Sequence, residues 1–194
     1  MNIDFQFNRI TLQQFQKDLV MREKSLPILH AKEAALRLEL KELKKKLAKM
    51  LLVKENLYQP VKQNMQLWAE FPDILKIEKV VIKKRNIAGV KLEIFQNVEF
   101  TLKPFLLFNS PKWIISGAEL LKQYINNEIE LKIEKSNHAK LELAARKTTQ
   151  KVNLYEKVQI PFFQSAILRI KRFIEDEENL SRASQKIMKR KQDR

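Results

Sequence analysis

From Leu12 to Leu57 an apolar residue returns every three and then four positions, and this repeat constrains the chain more than any other feature. One set of heptad seats is Leu12, Leu19, Leu26, Glu33, Leu40, Leu47 and Lys54; the other is Phe15, Arg22, Leu29, Leu36, Leu43, Met50 and Leu57. Eleven of these fourteen are apolar, and the register never slips. A repeat of about 3.5 residues keeps its stripe on a partner only if the helices wind left-handedly, because a straight helix drifts by about 20° per heptad. The chain must therefore supply something for this helix to wind against.

Two glycines, Gly89 and Gly117, are all that 194 residues contain, where globular domains spend roughly 7% of their residues on glycine. Few turns imply long elements, so an elongated, mainly helical molecule is expected. Thr11 and Gln14 have the spacing of a capping box at the start of the first helix. Pro27 falls inside the pattern, but Leu26 and Leu29 keep register across it, so a bend is expected rather than a break. Pro60 marks a second bend or an end, with helix resuming over 61–71 until Pro72 stops it. At about 1.5 Å per residue, Thr11 to Gln59 would span on the order of 70 Å.

Between Pro72 and Pro111 the period changes to two. Ile77, Val80, Val81 and Ile82 are β-formers, and Val90, Leu92 and Ile94 alternate with Lys91 and Glu93. Between the runs lies Arg85-Asn86-Ile87-Ala88-Gly89, where Asn and Gly accept the positive φ of a tight turn. A β-hairpin is expected, with a third short strand over 98–102, packed into a small globular end by Phe105-Leu106-Leu107-Phe108. The second helix opens near Ser116, with Glu119 at capping-box spacing, or at Ser110 with Pro111 as its first helical residue. Its seats are Leu131, Glu134, His138, Leu141, Ala145, Thr148, Val152 and Tyr155. Past Pro161 the stripe continues as Phe163, Ile167, Ile170 and Ile174, offset by one residue, so the seam is expected to shift at the proline.

The sequence thus predicts a mainly α fold, a long antiparallel two-helix coiled coil with a small central β-hairpin region. Both termini are expected at one tip and the hairpin at the other. Three segments follow: an N-terminal coiled-coil helix (1–71), the hairpin region (72–115), and a C-terminal coiled-coil helix with a basic tail (116–194).

The formal charge is +15, from 38 Lys and Arg against 23 Asp and Glu. Such a surplus favours an acidic partner: nucleic acid, an anionic membrane or an acidic protein surface. There is no cysteine, which suits a reducing compartment. Residues 1–10 lack a signal peptide's apolar run, and nothing approaches the roughly 20 apolar residues of a membrane span, so a soluble, cytoplasmic protein is expected. His30 and His138 have neither a second His nor an acidic triad at ligand spacing, and no Gly-rich phosphate loop exists. Consecutive carboxylates in Glu175-Asp176-Glu177-Glu178 point around a helix instead of converging. No catalytic, cofactor or metal site is expected, nor an enzyme by itself. The polar seats Arg22, Glu33 and Lys54 either snorkel outward from a widened seam or fix register at some cost in stability. The basic tail of Lys186, Lys189, Arg190, Lys191 and Arg194 reads as a solvated end that matters only beside a working tip.

Several separated pieces resemble one family. Leu143-Ala144, Lys147-Thr148, Lys151-Val152-Asn153-Leu154-Tyr155-Glu156 and Ile160-Pro161, followed by Ile167, Ile170 and Ile174, are similar to the D subunit of the V/A-type rotary ATPases, which carries an Arg-Val-Asn-Ala-Leu-Glu segment and an Ile-Pro pair here. The turn around Asn86, Ile87, Gly89 and Val90 is similar to the family's Asn-(Ile/Val)-Met-Gly-Val, with Ala88 in place of Met and Leu92-Glu93 where a proline is common. Leu26-Pro27 with Lys32-Glu33 resembles its bacterial branch.

The resemblance implies a non-catalytic central-stalk protein, a rotor shaft that carries torque between ATP turnover in the head and proton or sodium movement through a membrane ring. It implies the catalytic-head A and B subunits, the small stalk F subunit and the membrane-proximal rotor C/d subunit as partners, with no cofactor and no direct nucleotide. The chain would be cytoplasmic and peripheral to the membrane through the complex. Arg169, Lys171, Arg172, Lys186, Lys189 and Arg190 are then the candidate head contacts. The alternative is a basic coiled-coil protein that binds nucleic acid or serves as a scaffold.

Overall fold

The computed structural model describes residues 5–63, 65–104, 111 and 113–192. Helix α1 (Arg9–Gln63) and the short α2 (Met65–Ala69) lead to strands β1 (Leu75–Ile87) and β2 (Val90–Leu102). Helix α3 (Trp113–Leu154), a π-helical turn (Tyr155–Gln159) and α4 (Ile160–Gln192) complete the chain. The fold is mainly α, with N- and C-terminal helices around a two-stranded antiparallel hairpin. It divides into two compact units, Met1–Glu33 with Lys147–Arg194, and Ala34–Arg146.

In the first unit α1 runs antiparallel to the helices from the C-terminal half: Phe15 packs edge-on against Phe163 at 5.3 Å, Arg22 meets Gln159, and Glu33 meets Thr149. The aromatic group is extended by Phe5, Phe7, Phe162 and Phe173. Helix α1 starts earlier than Thr11. Asn8 is its cap, with its side-chain oxygen accepting the Thr11 N–H at 2.7 Å and so satisfying a backbone donor that has no partner inside the helix. Pro27 sits within the unbroken helix on an exposed face.

The one-residue offset of the second seam has a local cause. Pro161 has no N–H to give the carbonyl four residues back, and its ring crowds that carbonyl. The turn before it widens, and the Ile160 N–H bonds the Tyr155 carbonyl five residues back. This π turn inserts one extra residue, which carries the stripe from Val152 and Tyr155 to Phe163, Ile167 and Ile170. The shift therefore lies in 155–159, just ahead of the proline.

In the second unit the pairing is again antiparallel, with Lys46 bonded to Glu134 and Lys54 to Glu128. Two helices alone cover each seam residue from one side only. Where a hairpin lies over them the seam becomes a closed core: Leu36, Leu43, Leu92, Leu141 and Ala145 are buried, with Ile87, Ala88 and Val90 of the turn packed on top. The turn residues Ala88 and Gly89 both have positive φ, 49° and 84°, as a two-residue type I′ connection requires. A second cluster of Ile74, Ile114 and Ala118 is closed by Phe71 and Trp113. A Cβ on Gly117 would lie 3.3 Å from the Phe71 ring, so this glycine permits a close approach of α3.

Several expectations are corrected here. Residues 98–102 are the end of β2, not a third strand, because β1 is 13 residues long and pairs with them as far as Leu75↔Leu102. The continuous pairing tolerates irregularities at Ile77/Lys79 and Val81/Ile82. Helix α1 continues through Pro60 to Gln63, the one bond that this proline cannot donate falling in the last turn of the helix. Helix α3 begins at Trp113, and Ser116 is no cap: its hydroxyl donates back to the Trp113 carbonyl at 3.0 Å. The proposed start at Ser110, the packing of 105–108 and Arg194 of the tail lie outside the described residues.

Candidate functional site

The chemistry of this chain is concentrated in the polar side chains set along the seam. In the first unit the Arg22 guanidinium donates to Gln159 Oε1 at 2.8 Å and to the Asp18 carbonyl at 2.9 Å, and lies 4.5 Å over the Phe163 ring. Glu33 accepts from the Thr149 hydroxyl at 2.6 Å. In the second unit Lys54 meets Glu128 at 2.7 Å. All three polar seats are thus bonded across to the opposite helix, Arg22 and Glu33 largely covered and Lys54 at the surface.

Lys46, one position before seat Leu47, forms the densest rung. Its ammonium lies 2.7 Å from Glu130 and 2.6 Å from Glu134. Burial works against its charged form, but hydrogen bonds to both carboxylates outweigh that and raise its pKa above 10.5. The hydrogen bond to Glu128 likewise raises Lys54, and Lys103 lowers Asp73 at the foot of the hairpin. A cavity of about 300 Å³ opens beside Lys46, floored by Leu43, Ile87 and Leu92.

Sequence periodicity passed over Asn137, which is 3% exposed. Its amide oxygen accepts from the Glu93 N–H at 3.0 Å, while its nitrogen donates to the Glu93 carbonyl at 2.6 Å and to Glu134 at 3.1 Å. The available signal was an Asn one helical turn after the Glu134 seat and next to the His138 seat; nothing local announced that a hairpin would cover it.

The other candidate residues separate by exposure. Leu36, Leu43, Met50, Ile167 and Ile170 are buried, whereas Leu12, Phe15, Leu19, Leu26, Leu29, Leu40, Leu47, Leu57 and Ile174 are half-buried. Val152 is buried and Ile160 half-buried toward the helix pairing, while Asn153, Glu156 and Pro161 are exposed. At the turn Ile87 and Val90 pack down, and Asn86 and Gly89 are exposed. Arg169, Lys171, Arg172, Lys186, Lys189 and Arg190 are all exposed along α4. Among the described residues no three His, Cys, Asp or Glu side chains converge to hold a metal, and no helix is long and apolar enough to cross a membrane.

A family model described as the ATP synthase D subunit matches residues 11–190, which includes both long helical arms and the hairpin. The chain belongs to the ATP synthase D-subunit family. The V-type ATP synthase D subunit of Borreliella burgdorferi is 34% identical over 179 residues, covering 90% of this chain and 88% of the relative. That of Chlamydia caviae is 23% identical over 186 residues, 88% of each chain. That of Chlamydia felis is 27% identical over 123 residues, 61% of this chain and 59% of the relative. In this member of the D-subunit family, the matched span takes in every polar rung of the seam named above, leaving out only Arg9 of the Arg9–Glu178 pair near the helix start.

Proposed function

We propose that this chain is the non-catalytic rotor shaft of a V/A-type ATP synthase, transmitting torque between ATP turnover in the catalytic head and ion translocation in the membrane ring. The observation that carries this reading is the helix pairing itself: an apolar seam crossed by polar rungs, in a member of the D-subunit family. Torque requires that two helices neither slide nor separate. Apolar contact opposes separation without specifying register, whereas a directional bond such as Glu33 to Thr149 opposes sliding as well.

The shaft acts by differential contact. An asymmetric rod within a threefold head touches its three catalytic interfaces differently, biasing each toward a different nucleotide affinity, and turning it exchanges those states. The partners are the A and B subunits of the head, the small F subunit of the stalk and the membrane-proximal rotor C/d subunit. The exposed cations Arg169, Lys171, Arg172, Lys186, Lys189 and Arg190 serve the head. The segments 1–71, 72–115 and 116–194 act as helix, hairpin region and tailed helix, on the cytoplasmic side of the membrane.

Reconstitution tests this. The purified chain should co-elute with a nucleotide-binding head and a small stalk protein, and truncation from Ser181 should uncouple ATP turnover from ion movement while the protein stays folded. A folded chain with no affinity for either would refute the proposal.

A further inference from the structure

The backbone geometry of the hairpin assigns Asn137 a specific task. In a two-residue hairpin the closing pair, here Ile87↔Val90, exchanges backbone bonds, and the pairs alternate from there. Arg85↔Leu92 is the next bonded pair, so at Lys84↔Glu93 the N–H and C=O of Glu93 point away from β1, along the free edge of β2. Asn137 meets both groups with its side-chain amide. One primary amide thus takes the place of one residue of a neighbouring strand.

That amide is itself held. Its nitrogen also bonds Glu134, which is 7% exposed and bonded to Lys46 of α1. A continuous polar chain therefore runs from α1 through α3 to the β2 backbone. The Lys140 ammonium adds an exposed bond to the Glu93 carboxylate at 3.1 Å. Beyond this dock the hairpin is held only at its tip, by Leu92 with Ile87, Ala88 and Val90 on the leucine cluster and by Arg85 4.0 Å from Glu39; farther along, Val98 is the one other buried residue among the described residues of the two strands, and Ile77, Ile82 and Leu102 are exposed. A two-stranded sheet is marginal by itself, and the apolar contact of Leu92 is non-directional.

We propose that the hairpin is a separately opening arm and that Asn137 is its latch, a positioning residue that fixes the docked register and sets how often the tip opens. The latch belongs to the second unit and holds whether or not the chain acts as a shaft. Lys46 contributes to it only through Glu134.

Hydrogen exchange on the full chain, resolved by peptide, tests the latch. In the parent, amides over 84–95 should exchange together and faster than those over 141–152. Asn137→Ala should accelerate exchange over 84–95 at least tenfold and leave 160–175 within twofold. Asn137→Asp, which keeps an acceptor for the Glu93 N–H but loses the donor and faces Glu134, should match the alanine variant. Lys46→Met should give a smaller acceleration, about threefold, and add nothing in the Asn137→Ala background. Hairpin exchange within twofold of the parent in Asn137→Ala would overturn the proposal. So would an equal rise across hairpin and helices, or failure of the Asn137 variants and Lys46→Met alike to give a folded chain, since Asn137 would then be an ordinary core residue.

Discussion

The two units pair the same helical arms by different chemistry. In the first, contact is aromatic: Phe5, Phe7, Phe15, Phe162, Phe163 and Phe173 stack in tilted and edge-on pairs, and Arg22 lies over Phe163. In the second, the contact beneath the hairpin is aliphatic and ionic, with Leu36, Leu43 and Leu141 under it and Lys46 between two glutamates, and aromatic pairs, Tyr58–Tyr124 and the Trp68, Phe71 and Trp113 group, lie apart from it. Over Leu36, Leu43 and Leu141 the hairpin forms a third layer, whereas Val152, Ala166 and Ile170 of the first unit are buried without one. The comparison teaches that a continuous heptad pattern does not imply uniform packing: what covers the seam decides how deeply each seat is buried.

The largest expected effect separates the units by core. Leu141→Ala removes a side chain with no exposure at all, and should cost about 4 kcal/mol in denaturant unfolding. Hydrogen exchange should rise first over 34–146. Phe163→Ala, at 8% exposure, should cost about 3 kcal/mol, with its fastest exchange over 155–175. If both variants loosened both units equally, the two modes of packing would be one cooperative core and the comparison would fail.

The next prediction sharpens the role of the π turn. Deleting Val158 together with Pro161→Ala removes the extra residue and the proline that widens the turn and makes the heptad seats continuous from Val152 to Ile170, so the first unit should keep its fold with stability changed by about 1 kcal/mol or less. A collapse on deletion would show that the widened turn has a packing role of its own. On the hairpin, Ala88 occupies the left-handed region at φ 49°, a conformation that costs most residues about 1 kcal/mol. Ala88→Asn should therefore raise the melting temperature, by about 0.5–1 kcal/mol of stability, with no effect on exchange in the first unit.

The smallest effect is one of pH. Because its carboxylate partners raise the pKa of Lys46 above 10.5 in the folded chain, the charged lysine stabilises the second unit below the pKa of the free side chain wherever those carboxylates are ionised. That contribution fades as the pH climbs through the folded pKa. A denaturation midpoint measured against pH should fall above about pH 10.5 in the parent, and fall less in Lys46→Met.

The helical arms were legible because a 3.5-residue period carried over tens of residues has few other solutions. The hairpin was legible too, from the switch to a period of two and from Gly89; Asn86, expected to take a positive φ, instead lies in β1 paired with Lys91, and Ala88 takes that conformation. Helix boundaries were less so: Thr11 and Ser116 both satisfy the spacing of a capping box, yet Asn8 and the turn at Pro111 come first, because hydrogen-bond geometry and not spacing selects the cap. The seam offset was visible as a mismatch between Tyr155 and Phe163, while its cause, a five-residue backbone bond, was not. Asn137 was hidden for another reason. Its partner is the backbone of Glu93, 44 residues away, and no local pattern encodes a tertiary contact.

Rotation of a single assembled complex tests the central claim most directly. With the head fixed and a probe attached to this chain through a cysteine introduced at the exposed Lys83 of the hairpin, a rotor shaft turns stepwise in one direction on addition of ATP. Steady ATP hydrolysis by the same complexes with a stationary probe would contradict it.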